Sequence, residues 1–156
     1  MRLDHGWIQQ HIPHAGRMCL LDEVLEWDAQ RILCRSSSHR SPDNPLRAHG
    51  RLGAACGIEY AAQSMAVHGV LVAATGTNGP AMGYLASVRG VRLFVDRLDD
   101  LRSDLIATAT RVTSDDTTVL YDFAVLEGER ALLRGRATII FDIRGGGGSA
   151  THSAPP

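Results

Sequence analysis

The sequence contains no lysine, and its 16 basic residues, all arginine, are balanced by 17 acidic residues to a net charge of −1. A general nucleic-acid binder carries a broad positive surplus, so this balance argues against that function. Aromatic residues make up only 5% of the chain, which excludes a surface rich in base-stacking rings. A core must therefore be built from aliphatic side chains, and 156 residues are enough for one domain.

Cysteine usage and targeting signals are equally sparse. Cys19, Cys34 and Cys56 form no CxxC pair and are odd in number, which argues against a disulfide framework or a zinc site. The HxxH spacing of residues 11–14 contains a proline that spoils helix continuity, so we expect no metal there either. The N-terminus has no apolar region of the kind found in secretory signals, and we expect a cytoplasmic protein.

Residues 60–88 carry no charged side chain, yet their composition does not predict a membrane-spanning helix. The run contains four glycines and a proline, which a bilayer-crossing helix does not tolerate without neighbouring helices. We interpret it as the end of a buried helix, a loop and the start of a strand. We place the helix over residues 52–68, because small residues dominate and apolar residues occur on every face, and Gly69 is its expected C-terminal cap.

Downstream of this helix the hydrophobic period becomes alternating, which predicts strands. Tight connections between long strands rich in β-branched residues indicate an antiparallel meander. The predicted strands cover residues 31–37, 105–113, 117–127 and 130–142, with a further one beginning near residue 91. The fold class is therefore α+β, with a curved antiparallel sheet wrapped around one central helix. Apolar strand edges favour pairing with a second copy.

The domain boundaries follow from composition. Residues 1–144 form one domain, and residues 145–156, rich in Gly, Ser and Pro, form a tail that we expect to be disordered.

Glu59 is the most informative residue, because it lies in the middle of the predicted helix among small and apolar neighbours. Burial penalises a charged carboxylate, so its pKa is expected to rise unless a partner holds it, which suits a general acid. Gln63 lies one turn later on the same face and can orient the carboxyl or bind a substrate oxygen. The alternative is that Glu59 reaches solvent or a structural arginine such as Arg51.

The entrance to the helix supplies further candidates. His49 precedes the helix and can act as a base, although an exposed loop histidine is an equally ordinary interpretation. Free N–H groups at the helix start, including those of Gly53 and Ala54, can bind a carbonyl oxygen that develops charge.

Three segments resemble the 3-hydroxyacyl-[acyl carrier protein] dehydratases of the hotdog fold, and in particular their divergent branch in aryl-polyene and type II polyketide-like pathways. IPHAGRMCLLDEV at residues 12–24 is similar to the family's opening PHRxPFLLVDRV. GIEYAAQSMA at residues 57–66 is similar to its EAMAQ helix box, and YLASVRGVRL at residues 84–93 to the following strand. The resemblance implies a hotdog homodimer, a dimer of dimers or a heteromer with a second dehydratase.

The resemblance also implies a reaction: dehydration of a 3-hydroxyacyl thioester, carried on the phosphopantetheine of acyl carrier protein, to the trans-2-enoyl thioester. It implies fatty-acid or polyene biosynthesis and no other cofactor. In the family the active sites lie at the subunit interface: a histidine removes the α-proton, and the helix carboxyl, supplied by the other subunit, assists departure of the β-hydroxyl. Glu59 matches the carboxyl, and His49 is the candidate histidine. The residues assigned to substrate binding are Gln63, Tyr60, Gly53, Ala54, His14 and Arg17.

One departure keeps other functions open. The family's GHFPG motif is absent, and a gapless alignment on Glu59 puts Pro45 at the position of its histidine, four residues before His49. A hotdog acyl thioesterase, whose helix carboxylate activates water, and a non-catalytic dehydratase-like partner subunit are the alternatives.

The distribution of charge predicts a docking surface. Residues 31–58 carry five arginines against one acid, a local charge of +4. An acidic carrier protein would find complementary charge there, and we assign Arg47 and Arg51 to docking it.

Overall fold

A computed structural model of the chain describes residues 2–76 and 82–142. One antiparallel six-stranded sheet, in the order β1-β2-β4-β5-β6-β3, packs against the long helix α2. The elements are α1 (His5–His11), β1 (Glu23–Trp27), β2 (Arg31–Ser36), α2 (Gly57–Ala74), β3 (Met82–Leu93), β4 (Leu105–Ser114), β5 (Thr118–Glu127) and β6 (Arg130–Asp142). This confirms the predicted fold class, while the predicted tail at 145–156 lies outside the described residues.

The alternating pattern of the strands builds the core. On β4, Leu105, Ala107 and Ala109 are buried and face α2, while the residues between them face outward. α2 approaches the sheet closely where Gly57 meets β6, since a Cβ built on Gly57 would lie 2.5 Å from Leu133 Cδ2. Within the described residues, no helix is both long and apolar enough to cross a membrane.

The bounds predicted for α2 were wrong at both ends. The helix begins at Gly57, directly after a 3-10 turn at Ala54–Cys56. The start of this segment is held by the loop after β3, because Leu52 N donates to Asp99 and Ala54 N donates to the Asp96 carbonyl. It then continues through Gly69 to Ala74. Gly69 therefore does not end the helix; a Cβ there would lie 3.3 Å from the Phe141 ring, so its size serves close packing.

Two N-terminal elements were not predicted, although they position the site. α1 begins after Asp4, whose Oδ1 accepts a hydrogen bond from Trp7 N at 3.0 Å, as an N-cap residue does. Ile12 follows α1 in extended backbone, as a residue before proline is expected to be, and this conformation directs the chain across α2. β1 escaped prediction because its exposed and half-buried residues do not alternate cleanly.

A fully buried histidine of α2 forms hydrogen bonds that join the helix to the sheet. His68 is joined through Nδ1 to the Tyr121 hydroxyl and through Nε2 to the Asp28 carbonyl, both at 2.8 Å. Burial lowers the pKa of His68 below its ordinary value, because the apolar surroundings penalise the imidazolium.

This histidine should make the fold acid-sensitive. Because the folded pKa is depressed, the unfolded chain binds more protons once the pH falls below the ordinary histidine pKa, and the free energy of unfolding falls with it. His68→Gln should cost about 1–3 kcal/mol at pH 8, from loss of a buried hydrogen bond, and should flatten the decline toward pH 5. Urea unfolding of both proteins across this range measures the difference; parallel pH profiles would contradict the assignment.

Candidate functional site

Glu59 lies in the first turn of α2, where two nitrogen donors hold one of its carboxylate oxygens. Oε1 lies 3.0 Å from His14 Nε2 and 3.1 Å from Gln63 Nε2. Oε2 makes no hydrogen bond within the described residues, and the Glu59 side chain is 32% exposed. One oxygen of the carboxylate is therefore fixed by hydrogen bonds, and the other oxygen remains available to a ligand.

Gln63 holds Glu59 from beneath and is itself completely buried. Its Oε1 accepts from Leu20 N at 2.9 Å, and its Nε2 donates to the Met18 carbonyl at 2.6 Å as well as to Glu59. Both amide hydrogens are thus used inside the protein. Of the two predicted roles, orienting the carboxyl is the one that this geometry supports; direct contact of Gln63 with a substrate is not.

Glu59 does not have the raised pKa expected of a buried carboxyl without a partner. The hydrogen bond from His14 is the largest influence and lowers the pKa of the carboxyl below its ordinary value, against the opposing effect of burial. A partner does hold the carboxylate, so the ionised form is favoured. Glu59 is thereby suited to accept a proton rather than to begin as an acid.

His14 reaches Glu59 from the extended segment that follows α1. Its side chain is 27% exposed, and its Nδ1 is buried without a hydrogen-bond partner. The sequence placed His14 among the substrate-binding residues but did not pair it with Glu59. The two residues are 45 positions apart in the chain, and no local periodicity predicts such a contact.

A cavity of about 520 Å³ opens beside this pair. His14 and Glu59 form its polar end, and most of the remaining wall is aliphatic or aromatic. The other lining residues are His11, Ile12, Pro13, Ala62, Met65, Ala66, Val70, Gly83, Tyr84, Leu85, Ile139 and Phe141. Its volume and apolar lining suit a small organic ligand with one polar reacting group.

Several predicted site residues lie elsewhere. Tyr60 is completely buried, and its hydroxyl bonds Ser38 Oγ at 2.8 Å and Asn44 Nδ2 at 3.1 Å, so in this protomer it is a core residue rather than a substrate contact. The Ala54 amide donates to the Asp96 carbonyl and is not free for an oxyanion, because residues 53 and 97 are bridged. Gly53 belongs to the same bridge and does not line the cavity.

His49 is not brought to Glu59. It is exposed, adopts a left-handed φ of 53°, and lies in a turn in which the Ala48 amide donates to the Arg51 carbonyl and the Arg51 amide to the Ala48 carbonyl. Among residues 2–76 and 82–142, no hydrogen bond or ion pair joins His49 to Glu59. A catalytic role for His49 therefore has no support in the geometry of one protomer.

The arginine-rich segment is not a free basic surface, contrary to expectation. Four of its five arginines, Arg31, Arg35, Arg40 and Arg47, lie within 4.0 Å of carboxylates on neighbouring segments. Arg51 is exposed and bonds the Asp96 carbonyl. Arg17, also exposed, lines a separate cavity of about 420 Å³. Within the described part of the chain, no three His, Cys, Asp or Glu side chains converge as a metal site would require.

Comparison with known proteins identifies a relationship over most of the chain. The family model ApeP-like, described as ApeP dehydratase, matches residues 7–142. A chain of the dehydratase heterocomplex ApeI:P from Xenorhabdus doucetiae shares 20% identity at a TM-score of 0.76, with 88% of this chain and 91% of that chain covered. No curated protein matches significantly.

More distant structures share the fold alone. A variant of a thioesterase from Pseudomonas aeruginosa has 14% identity and a TM-score of 0.55, covering 76% of this chain and 79% of that chain. A thioesterase from Haemophilus influenzae has 11% identity and a TM-score of 0.58, covering 78% of each chain. These likenesses confirm the hotdog architecture.

Proposed function

This chain belongs to the ApeP-like dehydratase family, and from that premise we propose that it dehydrates a 3-hydroxyacyl thioester, carried on acyl carrier protein, to the trans-2-enoyl thioester. The observation that supports the reaction is the Glu59 carboxyl, held by His14 and Gln63 at one end of a largely apolar cavity. The corresponding processes are fatty-acid or polyene biosynthesis. The acyl group would occupy the aliphatic part of the cavity.

The Glu59 carboxyl alone can both accept and return the proton that the elimination transfers. Oε2 accepts the proton from the α-carbon, the electron pair of that C–H bond forms the C=C bond, and the β C–O bond breaks. The same carboxyl, now protonated, gives its proton to the departing hydroxyl, which leaves as water. Glu59 ends in its starting state, so no additional acid, base or oxidant is needed.

His14 and Gln63 act on this step through Glu59. Their two N–H groups hold Oε1, fix the rotamer of the carboxyl and favour its ionised form before substrate binds. They are therefore positioning residues, and Glu59 is the group that contacts the reacting atoms.

The edge strand beside the cavity supports assembly with a second hotdog subunit. Within the described residues, β3 pairs only with β6, and its Leu85 and Leu93 side chains are 43% and 48% exposed. Gly83, Tyr84 and Leu85 of this strand also form part of the cavity wall. A partner strand paired to β3 would satisfy its free backbone groups and extend that wall. The dehydratase heterocomplex of the similar protein supports a heteromer.

The proposal is tested with purified protein and a 3-hydroxyacyl-carrier protein, alone and with a second hotdog dehydratase subunit. Formation of the trans-2-enoyl thioester, followed by mass spectrometry of the carrier, is the expected result. Release of free 3-hydroxy acid would contradict the dehydratase proposal and would indicate a thioesterase, in which the Glu59 carboxylate activates water. No turnover, with enhancement of the second subunit's activity, would identify a non-catalytic partner.

A further inference from the structure

β3, the edge strand that we propose to pair with a second subunit, carries only positive charge. β3 contains Arg89 and Arg92 and no acidic residue. Both arginines are exposed, and no ion pair to either is found within the described residues. A positive φ of 59° at Gly90, inside a bulge between residues 89 and 92, allows the strand to bend between them.

The strand behind this edge adds further positive charge. Arg89 lies directly opposite Arg136, and Arg92 directly opposite Arg134, in the register of β3 with β6. Residues that are directly opposite project from the same face of a sheet, where like charges destabilise the pair. Of these four arginines, Arg136 alone has a carboxylate partner among the described residues, Asp122 at 2.8 Å. Arg134 lies over the Phe94 ring.

This cluster has a consequence for self-association along β3. Two copies paired antiparallel along β3, about a two-fold axis near residues 89–92, would place four arginines and no acid opposite one another in one β-ladder. Neighbouring strands lie only ~4.8 Å apart, so the arginines of both copies would approach within the range of unscreened repulsion. The carboxylate of Asp122, which lies opposite Arg136 in the register of β5 with β6, already binds Arg136.

We propose that Arg89 and Arg92 select the partner of this chain: a second hotdog subunit whose pairing strand carries acidic side chains. Repulsion disfavours the homodimer, and opposite charges across the ladder favour the heteromer, so the same two residues act against one assembly and for the other. The inference rests on the proposed association along β3. Plain edge protection, in which charge merely prevents strand pairing, is the competing explanation.

A charge-swap experiment tests partner selection with this chain alone. The double variant Arg89→Glu/Arg92→Glu places carboxylates opposite Arg136 and Arg134, so it should fold at least as stably as the wild type. Mixed with size-tagged wild type, it should form a heterodimer whose Kd is at least about tenfold lower than that of either self-pair at about 0.1 M salt. This advantage should largely disappear near 1 M salt, because the Debye length falls to ~3 Å.

Native mass spectrometry and sedimentation velocity measure these species without substrate. The matched control is Arg102→Glu/Arg130→Glu, which makes the same change in charge at exposed positions outside β3 and should give no preference for the mixed pair. A salt-insensitive wild-type homodimer, or no pairing in the swapped mixture, would overturn the proposal. Because association is measured independently of turnover, a failed dehydration assay leaves this result standing, and the converse also holds.

Discussion

Glu59→Gln should reduce formation of the enoyl product by at least about 10³-fold while leaving the protein folded. Proton transfer by a positioned side chain contributes 10²–10⁴-fold in enzymes, and here one carboxyl both accepts and returns the proton. The amide is nearly the same size, and its oxygen can still accept from His14 Nε2 and Gln63 Nε2. The change therefore removes the proton-accepting group without emptying the site.

The measurement is single-turnover conversion of a 3-hydroxyacyl-carrier protein, with thermal unfolding as the check on the fold. Glu129→Gln is the matched control, because it makes the same chemical change on an exposed turn between β5 and β6. We expect that control to retain wild-type activity. Full activity of Glu59→Gln would remove Glu59 from the reaction.

Replacement of His14 should have the second largest effect and should shift the pH profile. His14→Ala removes the donor that most lowers the Glu59 pKa, leaving burial as the dominant influence, so that pKa should rise. The acidic limb of the rate profile then moves to higher pH, because Glu59 must be ionised to accept the α-proton. We also expect the rate at pH 7–8 to fall about 10²-fold, because the carboxyl loses its fixed orientation.

Two further variants separate positioning from other roles. His14→Gln retains an N–H donor and should restore much of the wild-type profile, since the hydrogen bond has a larger effect on the Glu59 pKa than the charge of His14. His49→Asn tests the histidine predicted from sequence; asparagine tolerates the left-handed conformation of residue 49 and should change the rate less than about threefold. A large loss in His49→Asn with a mild effect in His14→Ala would reverse the two assignments.

Much of the fold could be predicted because its signals are local. The residues that alternate along β4, β5 and β6 fix both the strand and its buried face, and the predicted bounds differ little from those observed. The small residues of α2 indicated a helix buried on most sides. Its ends could not be predicted, because they depend on residues distant in sequence: Asp96 and Asp99 bind the backbone of residues 52–54, and Phe141 packs on Gly69.

The availability of the charges in the arginine-rich segment could not be predicted from local sequence either. Residues 31–58 are rich in arginine, but whether an arginine is available depends on which carboxylates fold against it. Asp104, remote in sequence, binds both Arg35 and Arg40. On β3, by contrast, Arg89 and Arg92 have no ion pair within the described residues, although the sequence shows only these two positive charges in twelve residues.

The sequence by itself determined the fold class and the identity of the central carboxylate, because a charged residue among small and apolar neighbours is unusual and helical periodicity places Gln63 beside it. Only the tertiary structure showed that His14 contacts that carboxylate. The absence of lysine and the near-neutral balance of charge argue against a general nucleic-acid binder, but they carry no information about pairing between subunits. His14 meets Glu59 because an extended segment after α1 crosses α2, and contacts of that kind depend on packing rather than on spacing along the chain.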